Sequence, residues 1–153
     1  MTVYNQFESK AGLLEALFDL MGAKGPVKNM PAVFAEKDPR KALDMFIETM
    51  GEFWTYSRRG HLKLRAAAIL DPELRTAIES RQIRRRHGLA ELVRRLSKDI
   101  KPIVPRAEVV DVLYVMLSFD NFDALAGPER EPRDVVPIMR KLVHATLGLS
   151  KPR

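Results

Sequence analysis

Asp38-Pro-Arg-Lys-Ala-Leu-Asp-Met-Phe-Ile-Glu-Thr-Met-Gly-Glu-Phe-Trp54 carries the signal from which the rest of the chain is read. Asp38 offers a carboxylate to the free N–H groups of a first helical turn, and Pro39 sits where a missing N–H costs nothing. Leu43, Phe46, Ile47, Met50, Phe53 and Trp54 then recur at three- and four-residue spacing and line one face. Arg58-Arg59-Gly60 reads as the stop, with positive charge at the negative end of the dipole. No stretch elsewhere keeps a clean period of two, so the whole chain reads as all-α.

Outward from that helix the breakers divide the chain. A helix after Ser9 carries Leu13, Leu14, Leu17, Phe18 and Met21, and Gly22 with Gly25-Pro26 ends it. Residues 23–37 read as a linker holding a short helical turn at 31–35. A short helix is expected over 61–70. Asp71-Pro72 repeats the cap-plus-proline start and opens a helix to about Leu96, with Leu74, Ile78, Leu89, Leu92 and Val93 as apolar positions. Pro102 and Pro105 precede one continuous helix over 106–126, apolar on more than one face, which Gly127-Pro128 stops. Asp134 is expected to cap the last helix, placing Pro137 in its first turn.

Composition narrows the function classes. The 153 residues include no cysteine, which excludes a disulfide framework, a thiolate zinc site and a cysteine nucleophile, and suits a reducing cytoplasm. His61, His87 and His144 stand too far apart in sequence for a metal-binding pair on one helix, and there is no Gly-rich phosphate loop. No metal, cofactor, catalytic residue or enzymatic activity is expected. No apolar run approaches the ~20 residues of a membrane span, and the first twenty residues, with Glu8, Glu15 and Asp19, do not read as a secretory signal, so a cytoplasmic location without membrane association is expected. The net charge of +6 is concentrated around Arg81, Arg84, Arg85 and Arg86. Without interleaved aromatic residues, that cluster reads as a solvated face with local carboxylate partners, such as Glu91 with Arg95 at i,i+4.

Large, adaptable side chains are a second concentration. Phe34, Phe46, Met50, Phe53, Trp54, Phe119 and Phe122 suit an apolar core, and equally the lining of a cavity for an apolar ligand.

The N-terminus is the most specific stretch. Thr2-Val-Tyr-Asn-Gln-Phe-Glu-Ser-Lys-Ala-Gly-Leu-Leu-Glu-Ala-Leu17 resembles the junction between the recognition helix and the next helix in TetR-family transcriptional regulators. The matching positions are Thr2, Val3, Tyr4, Phe7, Lys10 and Leu13. Asp38-Pro-Arg-Lys-Ala-Leu43, Asp71-Pro-Glu-Leu-Arg75 and Ser118-Phe-Asp-Asn-Phe-Asp123 followed by Leu125-Ala-Gly127 resemble the actinobacterial branch more loosely.

The resemblance implies a TetR-like C-terminal ligand-binding and dimerisation domain at residues 23–153. Residues 1–22 would be a remnant of the helix-turn-helix: the end of the recognition helix and the linking helix. Tyr4 and Lys10 would contact phosphates, with Thr2 and Asn5 facing bases or backbone. The two helices that precede a recognition helix in the family are not in this sequence, so residues 2–7 alone are not expected to read DNA specifically. The implied function is ligand-responsive regulation, usually repression, with operator DNA and a small apolar effector as partners. A homodimer through the last two helices is expected, with Leu113, Leu117, Met139 and Leu142 at its interface. The alternative is a stand-alone helical dimer that binds a small molecule without a DNA role.

Overall fold

The computed structural model describes residues 10–149, which contain seven α-helices and no strand. They are α1 (Lys10–Lys24), α2 (Met30–Ala35), α3 (Pro39–Leu70), α4 (Pro72–Leu96), α5 (Val109–Met116), α6 (Phe119–Ala126) and α7 (Val136–Leu147). Among the described residues, no helix is long and apolar enough to cross a membrane.

Two caps work as their residue types require. Asp38 Oδ1 accepts from the backbone N–H of Arg40 (2.9 Å) and Lys41 (3.4 Å), which starts α3. Asp71 Oδ1 accepts from Leu74 N–H (3.1 Å) and starts α4 directly after α3 ends. With only Asp71 between them, α3 and α4 fold back on one another and form the most extensive helix pair. Gly25-Pro26 ends α1, although the helix runs on through Gly22 to Lys24. The expected linker is more regular than foreseen: a 3-10 turn at Pro26–Asn29 leads into α2.

The main core is built around Phe46, Leu43 and Ile47 of α3, Leu89, Leu92 and Leu96 of α4, and Leu113 and Phe122 from α5 and α6. Met139, Val143 and Leu147 of α7 close it. Gly148, left-handed at φ 64°, ends α7, and Leu149 N–H bonds back to the His144 carbonyl at 2.9 Å. The carbonyls of Thr146 and Leu147 accept from Ile103 and Lys101 N–H, each at 2.9 Å, which fastens the loop after α4 to the end of α7. A smaller apolar cluster joins Leu14 and Phe18 of α1 to Ala77 of α4.

Three helix boundaries differ from the sequence reading. First, α3 continues through Gly60 for 32 residues instead of stopping there. A mid-helix glycine weakens a helix by only about 1 kcal/mol, and side chains on both sides of Gly60 are anchored. Arg58 donates to Asp123 Oδ1 (2.7 Å) and to the Gly127 and Arg130 carbonyls (both 2.8 Å), and His61 is buried among aromatic rings. Arg58 is a tertiary clamp rather than a charge at a helix end.

Second, the expected helix over 106–126 is two helices, broken at Leu117-Ser118, where Ser118 is extended (φ −71°, ψ 158°). The Leu117 carbonyl, freed by the break, accepts from Trp54 Nε1 at 3.1 Å, and the Val115 carbonyl, which keeps the Ser118 N–H at 3.1 Å, also accepts from the Asn121 amide. Third, a 3-10 turn at Pro132–Val135 precedes α7, and Asp134 Oδ2 accepts from Glu131 N–H (2.8 Å) one turn ahead of the expected cap. Pro137 still falls in the first turn of α7.

Two glycines of α3 test this architecture in opposite directions. A methyl group on Gly51 would come within 2.2 Å of Val136 Cγ2, so close approach of α7 requires the bare backbone. A methyl on Gly60 meets nothing within 4 Å. Gly51→Ala is therefore expected to lower unfolding free energy by about 1–3 kcal/mol through overpacking. Gly60→Ala should raise it by about 0.5–1 kcal/mol, because alanine is the better helix former. Urea denaturation checks both; a loss of stability in Gly60→Ala would mean that α3 does not continue through that position.

Candidate functional site

Phe46, Met50, Phe53, Trp54, Ser57 and His61 follow one another along the side of α3 that faces α4 and its neighbours, at spacings of one, three and four. On α4, Ile78, Gln82, Arg85 and Gly88 approach them at similar spacing. Phe18 of α1 and Phe34 of α2 complete the wall of a cavity of about 230 Å³ between these elements. Gly88 keeps its space: a methyl there would lie 3.0 Å from the Phe34 ring and 3.6 Å from Phe46. A second cavity, of about 570 Å³ and with more charged groups on its walls, lies beyond His61 and Arg85. Both are lined by Phe18, His61, Ile78, Gln82 and Arg85.

The rings between the two cavities form one assembly. Trp54 packs 4.9 Å from Phe53, 4.9 Å edge-on from His61 and 5.7 Å from Phe119, measured between centroids. His61 stacks on Phe119 at 5.1 Å with the planes 29° apart. The Ser57 carbonyl lies 3.3 Å from His61 Nδ1 and can only accept, so Nδ1 carries the proton and Nε2 is left as an acceptor. Burial is the main cause that pushes the His61 pKa down; the Ser57 carbonyl opposes it, and the cations of Arg85 and Arg65 reinforce it.

Arg85 is the charge at this junction. Nη2 donates to Gln82 Oε1 at 3.0 Å and to the Tyr114 carbonyl at 3.4 Å, while Nη1 reaches the Leu117 carbonyl at 3.4 Å. Its Nε is buried without a hydrogen-bond partner. The guanidinium carbon lies 4.4 Å from the Tyr114 ring and 5.4 Å from Trp54, close enough for cation–π attraction. Tyr114 also donates its hydroxyl to Gln82 Oε1 at 3.0 Å. Burial pushes the Arg85 pKa down, opposed by Tyr114.

Five of the seven residues expected to line a pocket do line the smaller cavity: Phe34, Phe46, Met50, Phe53 and Trp54. Phe119 lies on the larger one. Phe122 is fully buried in the main core. The polar groups His61, Gln82 and Arg85 were not foreseen as lining. Their signal lies in the stripes themselves: Gln82 and Arg85 interrupt the apolar series Ile78, Leu89, Leu92 and Leu96, and His61 follows Trp54 by two turns on α3.

The arginine cluster divides. Arg81 bonds Glu15 and Asp19 of α1, and Arg86 pairs with Asp111. Glu91 pairs with Arg94 rather than Arg95, because Arg95 reaches across to the carbonyls of Phe34, Glu36 and Lys37 behind α2. The solvated-face reading is thus corrected at Arg85 and Arg95, whose side chains turn to the fold.

Of the residues expected to contact DNA, Thr2, Tyr4 and Asn5 lie outside the described residues. Lys10 opens α1, and its Nζ pairs with Asp71 Oδ2 at 3.1 Å. Asp71 has its pKa lowered by the Leu74 N–H it accepts from and by Lys10. Of the expected interface residues, Leu113, Leu117 and Met139 are buried in the chain's own core and offer no surface. Leu142 is 46% exposed. Among the described residues, no cluster of three histidine, cysteine or carboxylate groups is placed to hold a metal ion.

The buried histidine makes stability depend on pH with a definite sign. Above the ordinary histidine value of about 6.5, His61 is neutral in both the folded and unfolded chains. Below it the unfolded chain takes up a proton that the folded chain resists, so stability present above pH 6.5 is lost as pH falls toward the lowered folded value. The expected loss is up to about 1.4 kcal/mol per pH unit for this one proton. Urea unfolding at pH 7.5 and 5.5 measures it. The fall should be smaller in His61→Gln; equal pH dependence in both proteins would contradict the assignment.

Comparison with protein-family models, with curated proteins and with solved structures finds no match.

Proposed function

We propose that this chain is the effector-binding and dimerising part of a ligand-responsive, TetR-like transcriptional regulator that acts as a repressor. One observation carries the reading: a cavity of about 230 Å³, walled by Phe34, Phe46, Met50, Phe53 and Trp54, inside a helical domain. Apolar walls with a few convergent polar groups are what a small-molecule site requires. The N-terminal motif supplies the regulator half of the proposal, since Thr2, Tyr4, Asn5 and Lys10 match positions that touch DNA in the family. Ligand binding between α3 and α4 would shift the helix hairpin, and α1 packs on α4 through Phe18 and Ala77. That packing gives an effector a mechanical route to the DNA-binding end. An effect on DNA requires that the effector bind one arrangement better than the other.

The test joins this chain to the two helices that its N-terminal motif implies. The extended protein should retard its own promoter in a mobility shift at physiological salt. A hydrophobic compound that quenches Trp54 and raises the thermal midpoint should release the DNA. Gly88→Leu, which fills the cavity against Phe34, should bind the promoter as before but no longer respond to the compound. An extended protein that ignores the promoter yet binds the compound would leave a stand-alone ligand-binding module as the function. No response of Trp54 across a broad hydrophobic library would remove the pocket itself.

The dimer of this reading uses α7. Ile138 and Leu142, one turn apart, remain 37% and 46% exposed on a helix that buries Val136, Met139, Val143 and Leu147. Leu142→Glu would set a charge against apolar surface in the dimer, and being half-exposed in the single chain it should dissociate the dimer into folded monomers. Sedimentation velocity at micromolar concentration checks this; a wild-type chain that sediments as a monomer would contradict it.

A further inference from the structure

Arg85 differs from the ion-paired cations around it. Arg81, Arg86 and Arg94 each hold a carboxylate, and Arg65 holds Asp120. Arg85 forms no ion pair among the described residues; it has one amide oxygen at 3.0 Å, two carbonyls at 3.4 Å and two ring faces. Its Nε–H has no acceptor. A guanidinium held largely out of water without a counter-ion is costly, because neutral oxygens at the long end of hydrogen bonding do not balance a full charge. The chain keeps that charge on the walls of both cavities, next to the aromatic lining.

We propose that the cavity takes a ligand with a single carboxylate head and an apolar body, and that Arg85 receives the carboxylate. The inference rests on the effector-pocket reading above and names the class of effector. The head sits at the junction of the two cavities, where the carboxylate replaces the 3.4 Å carbonyl interactions at Nη1 and Nη2 and supplies the counter-ion that the guanidinium lacks. A guanidinium meets a carboxylate through two parallel N–H···O bonds, which fixes orientation as well as charge. The body extends along Trp54, Met50 and Phe34. A single head charge is favoured because His61, pushed toward its neutral form, adds no second cation, Arg81 is already neutralised by Glu15 and Asp19, and Arg84, also on the wall, is exposed to solvent. The small apolar effector expected from the sequence is thereby refined: apolar over its length, anionic at one end.

The test uses three probe pairs: decanoate, 2-naphthoate and 4-phenylbutyrate, each beside its primary amide, followed by Trp54 fluorescence. The amide keeps size and shape but removes the charge. In the wild-type chain at least one acid should bind about tenfold or more tighter than its amide, the scale of a hydrogen bond to a charged group. Arg85→Gln should bring that acid down to the level of its amide and leave amide binding nearly unchanged. Arg85→Lys, which keeps the charge but loses the fork, should retain part of the preference, and serves if the glutamine variant does not fold. Amides that bind as tightly as acids in the wild type, or an acid preference that survives Arg85→Gln, would overturn the assignment. If neither acids nor amides bind, the effector pocket falls, and the carboxylate inference with it.

Discussion

The buried hydrogen bond from Trp54 Nε1 to the Leu117 carbonyl, 3.1 Å long, links the two halves of the molecule. An indole N–H buried without an acceptor would cost about 1–3 kcal/mol, and so would a carbonyl left bare where a helix breaks. Each supplies what the other lacks. The break between α5 and α6 is tolerable because α3 delivers a donor to it, and Trp54 can lie 4% exposed because the break delivers an acceptor. From that point Phe119 is brought against Trp54 and His61, and the Leu117 and Tyr114 carbonyls face Arg85. Had the helix over 106–126 run straight, the Leu117 carbonyl would have bonded within it, and neither Trp54 nor Arg85 would have had this partner.

Arginines anchor the two long helices to their neighbours, one from the middle of α3 and one from the end of α4. Arg58 ties α3 to the loop after α6, and Arg95 ties α4 to the end of α2. Arginine suits both tasks because its fork satisfies several carbonyls at once. Between these anchors the hairpin of α3 and α4 leaves room, kept open at Gly88 by the absence of a side chain. A domain that only needed stability would fill such space, since a void beside apolar side chains weakens a fold.

Much of this was legible in the sequence, and the reasons are local. Asp38-Pro39 and Asp71-Pro72 announce helix starts because the cap and the proline act within one turn. The stripe from Phe46 to Trp54 announces a buried face because its spacing matches a helix. Less legible was anything decided at long range. Gly60 looks like a stop until Arg58 and His61, on either side, are seen to be held by α6 and its following loop. Leu117-Ser118 contains no proline or glycine, so its break follows from partners 63 and 32 residues away, Trp54 and Arg85. Leu113, Leu117 and Met139 have the pattern of a spare apolar face, but the chain's own helices cover them.

Arg85 was hidden for a related reason: it sits in a run of arginines whose neighbours find carboxylates on other helices. Its position on α4 distinguishes it. It lies in register with Leu89, Leu92 and Leu96, on the side of the helix that a folding chain buries. Methionine at that position would pack against Trp54 and Tyr114 without a desolvation penalty. Instead the chain holds a cation there with Gln82, two carbonyls and two rings, all neutral. His61, pushed toward its neutral form beside it, keeps a second positive charge away from Arg85. A buried arginine with such neighbours contributes little to stability. Its local chemistry is instead suited to a negative charge that comes and goes, because the held guanidinium keeps a donor ready without a permanent counter-ion to compete for it.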